Sequence, residues 1–102
     1  MNHKILLLKQ NGDIEQHNIN HKDSCKLLKT EQVKFCGAMY DYDAFGLAKS
    51  QKQSEDILNL FSSTYPQFFE ETYGDILLVG SDENGEGCDI DVEKLKQFLI
   101  AE

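Results

Sequence analysis

Two runs of consecutive aliphatic residues, Ile5-Leu6-Leu7-Leu8 and Ile76-Leu77-Leu78-Val79, constrain this chain more than any other feature. A strand with one wet face alternates apolar and polar side chains. An unbroken apolar run therefore fits a strand covered on both faces, in the middle of a sheet. Neither run is long enough to span a bilayer. Both are predicted to be central strands.

The segments around them supply the rest of a sheet. Asn11-Gly12 follows the first strand and tolerates positive φ, a strong hairpin signal, and the mostly polar return from Asp13 to Ile19 suits a sheet edge. Lys22 to Thr30 is predicted to hold one helical turn capped by Asp23. From Val33 to Tyr40 the sequence alternates, with Val33, Phe35, Gly37 and Met39 on one face. Gly37 marks a bulge or a close backbone approach. Asp41 to Gln53 reads as a loop. Ser54 opens a helix with Glu55 and Asp56 in its first turn and an apolar stripe of Ile57, Leu58, Leu60 and Phe61. That helix ends by Tyr65-Pro66. Gln67 to Tyr73 is read as a further helical turn stopped by Gly74. Ser81 to Gly87 is a glycine-rich turn, and Cys88 to Asp91 a short last strand. Asp91 caps a final helix with Val92, Leu95, Phe98 and Leu99 on one face.

The expected fold class is α+β: a small, mainly antiparallel sheet of about five strands (β-β-β-α-β-β-α), with helices packed mostly on one face. With 102 residues, 40% of them hydrophobic, the chain fits one compact domain over residues 1–102. The aromatic segment Tyr65 to Tyr73 is expected to supply part of a second layer; otherwise a partner subunit has to.

Charge narrows the function classes. Ten basic against eighteen acidic residues give a net −8, which disfavours the phosphate-neutralising surfaces used on nucleic acids and anionic membranes. Only four apolar residues follow Met-Asn-His-Lys before Lys9, so the N-terminus reads as a strand, not a secretory signal. Three cysteines, Cys25, Cys36 and Cys88, form no CxxC pair and no even framework. They are read as free thiols in a cytoplasmic protein, with one optional pair left open.

Several segments carry candidate chemistry. Counted from Asp82, the stretch Asp82 to Glu93 places oxygen ligands Asp82, Asn84 and Glu86 at positions 1, 3 and 5, Gly87 at 6 and Glu93 at 12. That is part of the array with which an EF-hand loop wraps calcium. Glu86 stands where Asp or Asn is usual, and a β-like run precedes the loop in place of a helix. A plain hairpin loop followed by a capped helix explains the same residues. His17, His21, Cys25 and Cys36 are all zinc-competent, but lack the tight pairs that structural zinc favours. A thiol enzyme needs one cysteine beside a histidine, and nothing local activates any of the three. Tyr40-Asp41-Tyr42-Asp43-Ala44-Phe45 sets three aromatics among two carboxylates in an expected loop. This is favoured contact chemistry at protein interfaces.

From Phe45-Gly46 through Asn59, then Tyr73-Gly74-Asp75-Ile76-Leu77-Leu78-Val79 and Asp89-Ile90-Asp91-Val92-Glu93, the layout resembles small uncharacterised proteins of large nucleocytoplasmic DNA viruses. The proline pair that precedes the late strand in that pattern is reduced here to Tyr65-Pro66. The resemblance implies a location in host cytoplasm or virion, brings no known activity and transfers no functional residues.

The functional expectation is a small acidic protein–protein interaction domain, an accessory subunit or an antagonist of a basic partner, rather than an enzyme. Its expected contact residues are Tyr40, Asp41, Tyr42, Asp43 and Phe45, with Asp82, Glu83 and Glu86 as a second patch. No cofactor, nucleic acid or membrane is called for, and a homo-oligomer is left open. The alternatives are a calcium module using Asp82, Asn84, Glu86 and Glu93, and a small thiol enzyme.

Overall fold

The computed structural model describes residues 2–100, apart from the side chain of His21. Six strands form one antiparallel sheet: β1 (His3–Leu8), β2 (Ile14–Ile19), β3 (Val33–Met39), β4 (Ala44–Lys49), β5 (Ile76–Ser81) and β6 (Gly87–Cys88). Their spatial order is β2-β1-β5-β4-β3, with β6 paired to the far end of β5. Three short helices complete it: α1 (Ser24–Leu27), α2 (Leu60–Thr64) and α3 (Val92–Ile100). The α+β architecture read from the sequence is the observed one.

The two aliphatic runs occupy the middle of the sheet. β1 lies between β2 and β5, and β5 between β1 and β4. Ile5 to Leu8 and Ile76 to Val79 are all buried, so both faces are covered over these strands. The first hairpin closes as Asn11-Gly12 suggests. Lys9 N–H donates to Asp13 O (2.8 Å) and Gly12 N–H to Lys9 O (3.0 Å), with Gly12 at φ 102°. This is a hairpin with a glycine bulge.

α2 and α3 cover one face, where Phe61, Val92, Leu95 and Leu99 pack with Leu6, Leu8, Ile76 and Leu78. Asp91 caps α3, its Oδ1 accepting from Lys94 N–H (3.2 Å). The other face carries Ile5, Leu7, Leu77 and Val79 and is covered by Leu27 and Leu28 at the end of α1. Among the described residues no helix is long and apolar enough to cross a membrane.

Five local expectations are corrected. First, the stretch read as a loop, Asp41 to Gln53, contains β4. Its Ala44, Gly46 and Ala48 alternate with Phe45 and Leu47, and the small residues hide the period. At Gly46 the core leaves no room for more: a Cβ there would stand 3.1 Å from the Phe69 ring and 3.2 Å from Cys36 Sγ. Second, no helix begins at Ser54. α2 starts six residues later behind Asn59, which accepts from Phe61 N–H (2.8 Å) through its side chain. Asp56 is taken instead by Gln53 N–H (2.8 Å) and Lys49 Nζ (2.9 Å), and the Ile57 and Leu58 of the supposed stripe lie exposed. Third, Asp23 precedes α1 without a side-chain capping bond.

Fourth, Gln67 to Tyr73 is not helical. Its backbone runs along β3, Ala38 N–H donating to Phe68 O (3.0 Å) and Glu70 N–H to Cys36 O (2.9 Å). Fifth, that aromatic segment does not form a second layer. Tyr65 and Phe69 join the same core as α2 and α3. The glycine reading holds in both senses. The register slips between Phe35 and Gly37, a bulge at Cys36, and a Cβ on Gly37 would collide with Phe68 O.

Candidate functional site

The Tyr40 to Phe45 segment forms the turn between β3 and β4. Tyr40–Tyr42 is a single 3-10 turn. Asp43 closes it in the left-handed region (φ 53°), a conformation that aspartate tolerates better than most residues. Because the turn sits at the sheet's end, its aromatics go to opposite faces. Tyr42 joins the helix-covered side, 5.7 Å from Phe98, which in turn touches Tyr65 (5.6 Å) and Phe68 (5.8 Å). Lys94 Nζ lies 5.4 Å over the Tyr42 ring. Tyr42 is thus half-buried within the fold's own packing.

Tyr40 and Phe45 go to the opposite face. Tyr40 stands edge-on to Phe45 (6.2 Å, 86°), and the ring of Phe35 on β3 lies 6.3 Å from that of Phe45. The register explains the grouping: Phe45 is opposite Ala38 and Val79, while Phe35 is opposite Leu47. Phe35 is 54% exposed and Tyr40 73%, large values for aromatic rings beside a core. Phe35 is the exposed aromatic of this group that the sequence reading did not single out. Its signal was the alternation of β3 taken together with the hidden β4. Around the β3 edge, a cleft of about 370 Å³ runs from Phe35 and Tyr40 past Asp41 to Gln67 and Phe68.

The acidic turn is tightly organised. Asn84 N–H and Glu86 N–H both donate to Asp82 Oδ1 (2.9 Å each), and Gly85 N–H donates to Asp82 O (3.0 Å). Asp82 therefore serves its own turn, while Glu83, Asn84 and Glu86 stay exposed. Glu93 sits apart on the first turn of α3. Among the described residues no three His, Cys, Asp or Glu side chains gather so as to hold a metal ion. The calcium set Asp82, Glu86 and Glu93 is not brought together in this way, nor are His17, Cys25 and Cys36 of the zinc series. The His21 side chain lies outside what is described.

The fold does unite the two acidic patches. Ala44 pairs with Gly80, and Gly80 with Cys88, so the starts of β4 and β6 and the end of β5 share one end of the sheet. Burial, then the charges of Asp82, Asp89 and Asp43, push the Cys88 thiol above its ordinary value. Cys36 is pushed up to about 11, chiefly by burial. A thiol nucleophile needs the opposite shift, and both of these thiols move away from it.

A second cleft, about 620 Å³, opens at the other end of β3 and β4 between Lys29–Gln32 and Ser50–Gln53. It is lined by polar side chains alone. Compared with known proteins, the chain matches no family model, no curated protein and no solved structure.

Proposed function

We propose that this protein works by contact. The half-covered sheet face around Phe35, Tyr40 and Phe45, with the acidic end beside it, docks a basic segment of a protein partner. The observation that carries this reading is Phe35 and Tyr40 standing in solvent against Phe45, where a monomer gains nothing from exposing rings. Asp41, Asp43, Asp82, Glu83, Glu86 and Asp89 are exposed around that end of the sheet. Carboxylates ringing an aromatic surface attract cations at long range. The ring faces then accept Arg or Lys at short range. Tyr42 belongs to the internal packing, so Tyr40, Phe45 and Phe35 are the aromatic contacts, and Asp41 and Asp43 the charged ones.

The test is an NMR titration of the isotopically labelled protein with an arginine-rich peptide and with a glutamate-rich control. The expected result is salt-sensitive shifts at Phe35, residues 40–45 and residues 82–89 from the basic peptide only. Equal response to both peptides, or shifts centred elsewhere, would overturn the reading.

A further inference from the structure

The sheet has two edges, and only one is closed. β3 is backed by residues 68–70 and broken by its bulge. β2 pairs with β1 alone, and among the described residues no strand lies on its outer side. Natural edge strands usually carry proline, lysine or a bulge to discourage further pairing. β2, Ile14-Glu15-Gln16-His17-Asn18-Ile19, has no proline or lysine and runs in unbroken register with β1.

The hairpin decides which backbone groups face outward. Lys9 N–H donates to Asp13 O, so the pairs Leu7–Glu15 and Ile5–His17 that follow exchange hydrogen bonds in alternation. The N–H and C=O groups of Ile14, Gln16 and Asn18 therefore point away from the sheet. We propose that this edge pairs antiparallel with the same edge of a second copy, about a twofold axis at Gln16.

Charge complementarity identifies the occupant. With Gln16 opposite Gln16, Ile14 and Asn18 exchange outward hydrogen bonds, and Glu15 of each copy stands opposite His17 of the other, twice per dimer. Sliding by two residues brings Glu15 against Glu15 in one direction and His17 against His17 in the other. Slipping by one sets outward groups against inward ones. A single register thus satisfies both hydrogen bonds and charge. Within one chain His17 Nε2 already lies 3.0 Å from Glu15 Oε1, on the shared face, so both side chains stand ready for the twofold arrangement. Asp43, Asp82 and Asp89 gather around Cys88, and Asp89 reaches back to β1, its Oδ1 accepting from Lys4 N–H (2.7 Å). Five residue pairs make a small interface, so the dimer dissociates on dilution. The proposal concerns a different edge from the aromatic face and does not depend on it.

Sedimentation equilibrium over a dilution series at about pH 6, just below the ordinary histidine pKa, tests it. The wild type is expected to pass from dimer to monomer. His17→Glu sets like charges opposite each other at two symmetric positions and is expected to weaken the dimer roughly tenfold or more. The exchanged variant Glu15→Lys/His17→Glu restores opposite charges and is expected to regain the dimer. Circular dichroism on each variant checks that the fold persists. A wild type that stays monomeric up to millimolar concentration would sink the proposal. So would His17→Glu associating as tightly as wild type, or an exchanged variant no tighter than His17→Glu.

Discussion

The two faces of this sheet are built from equally apolar strands and are covered unequally. On one, α2, α3 and the strap from Tyr65 to Phe69 bury Leu6, Leu8, Ile76 and Leu78 together with the small residues of β4. On the other, Leu27 and Leu28 from α1 cover only the neighbourhood of Ile5, Leu7 and Leu77. Towards β3 the cover runs out: Val33, Phe45 and Leu47 are half-buried and Phe35 is mostly exposed. The difference shows that an aliphatic run reports cover at its own position and says nothing of the strands two places away. It also separates residues that hold the fold from residues available for something else.

The covered face should be the sensitive one, and Asn59 is its most demanding residue. Fully buried, it donates through Nδ2 to Leu8 O (3.0 Å) and Gly74 O (2.8 Å), and its Oδ1 accepts from Phe61 N–H (2.8 Å). One side chain thereby ties β1, the β5 approach and the start of α2. Asn59→Ala leaves two buried carbonyls and a helix N–H without these partners. It is expected to cost about 4 kcal/mol, since each orphaned buried group costs about 1–3 kcal/mol. Urea denaturation measures the loss; a change under about 1 kcal/mol would mean water replaces the amide.

At the end of the sheet opposite the aromatic turn, Asp56 and Lys49 form a pair with side chains only 4% and 8% exposed. Burial alone would raise the Asp56 pKa, but the Lys49 ammonium and the Gln53 N–H outweigh it and hold the carboxyl below its usual range. The folded state thus favours the charged form. Its contribution is present above the unfolded carboxylate pKa, about 4, and is lost as pH falls through the lower folded value. Asp56→Asn should therefore be less stable than wild type at neutral pH, by about 2 kcal/mol, with the gap closing in acid. Parallel denaturation curves at neutral and acid pH check the sign. A gap that widened on acidification would contradict it.

Legibility in the sequence followed the same physics as stability. β1 and β5 were readable because their apolar runs are continuous, and α3 because Val92, Leu95 and Leu99 keep helical spacing behind an aspartate cap. β4 was not, since its inward residues Ala44, Gly46 and Ala48 are small and carry little pattern, Gly46 lying against Phe69. The Ser54 helix failed because Ile57 N–H and the Asn59 side chain have long-range partners, Gln10 Oε1 and Leu8 O, that no local propensity registers. Of the candidate site, the chemistry of Tyr40 to Phe45 was legible. Its division between two faces, and the arrival of Phe35 beside Phe45, needed the pairing of β3 with β4.

The open face should yield the smallest effect on stability, and that is its most informative property. Phe35 already leaves over half its surface in water and meets Phe45 at a ring distance of 6.3 Å. Replacing it with serine removes little buried area, so the expected cost is at most about 1 kcal/mol. Tyr40→Ser, at a ring even more exposed, should cost less still. If the two rings serve a partner, the double variant keeps its unfolding free energy in urea within about 2 kcal/mol of wild type while its response to an arginine-rich peptide falls. A loss of several kcal/mol would instead place Phe35 in the structural core, and the two faces would differ in appearance alone.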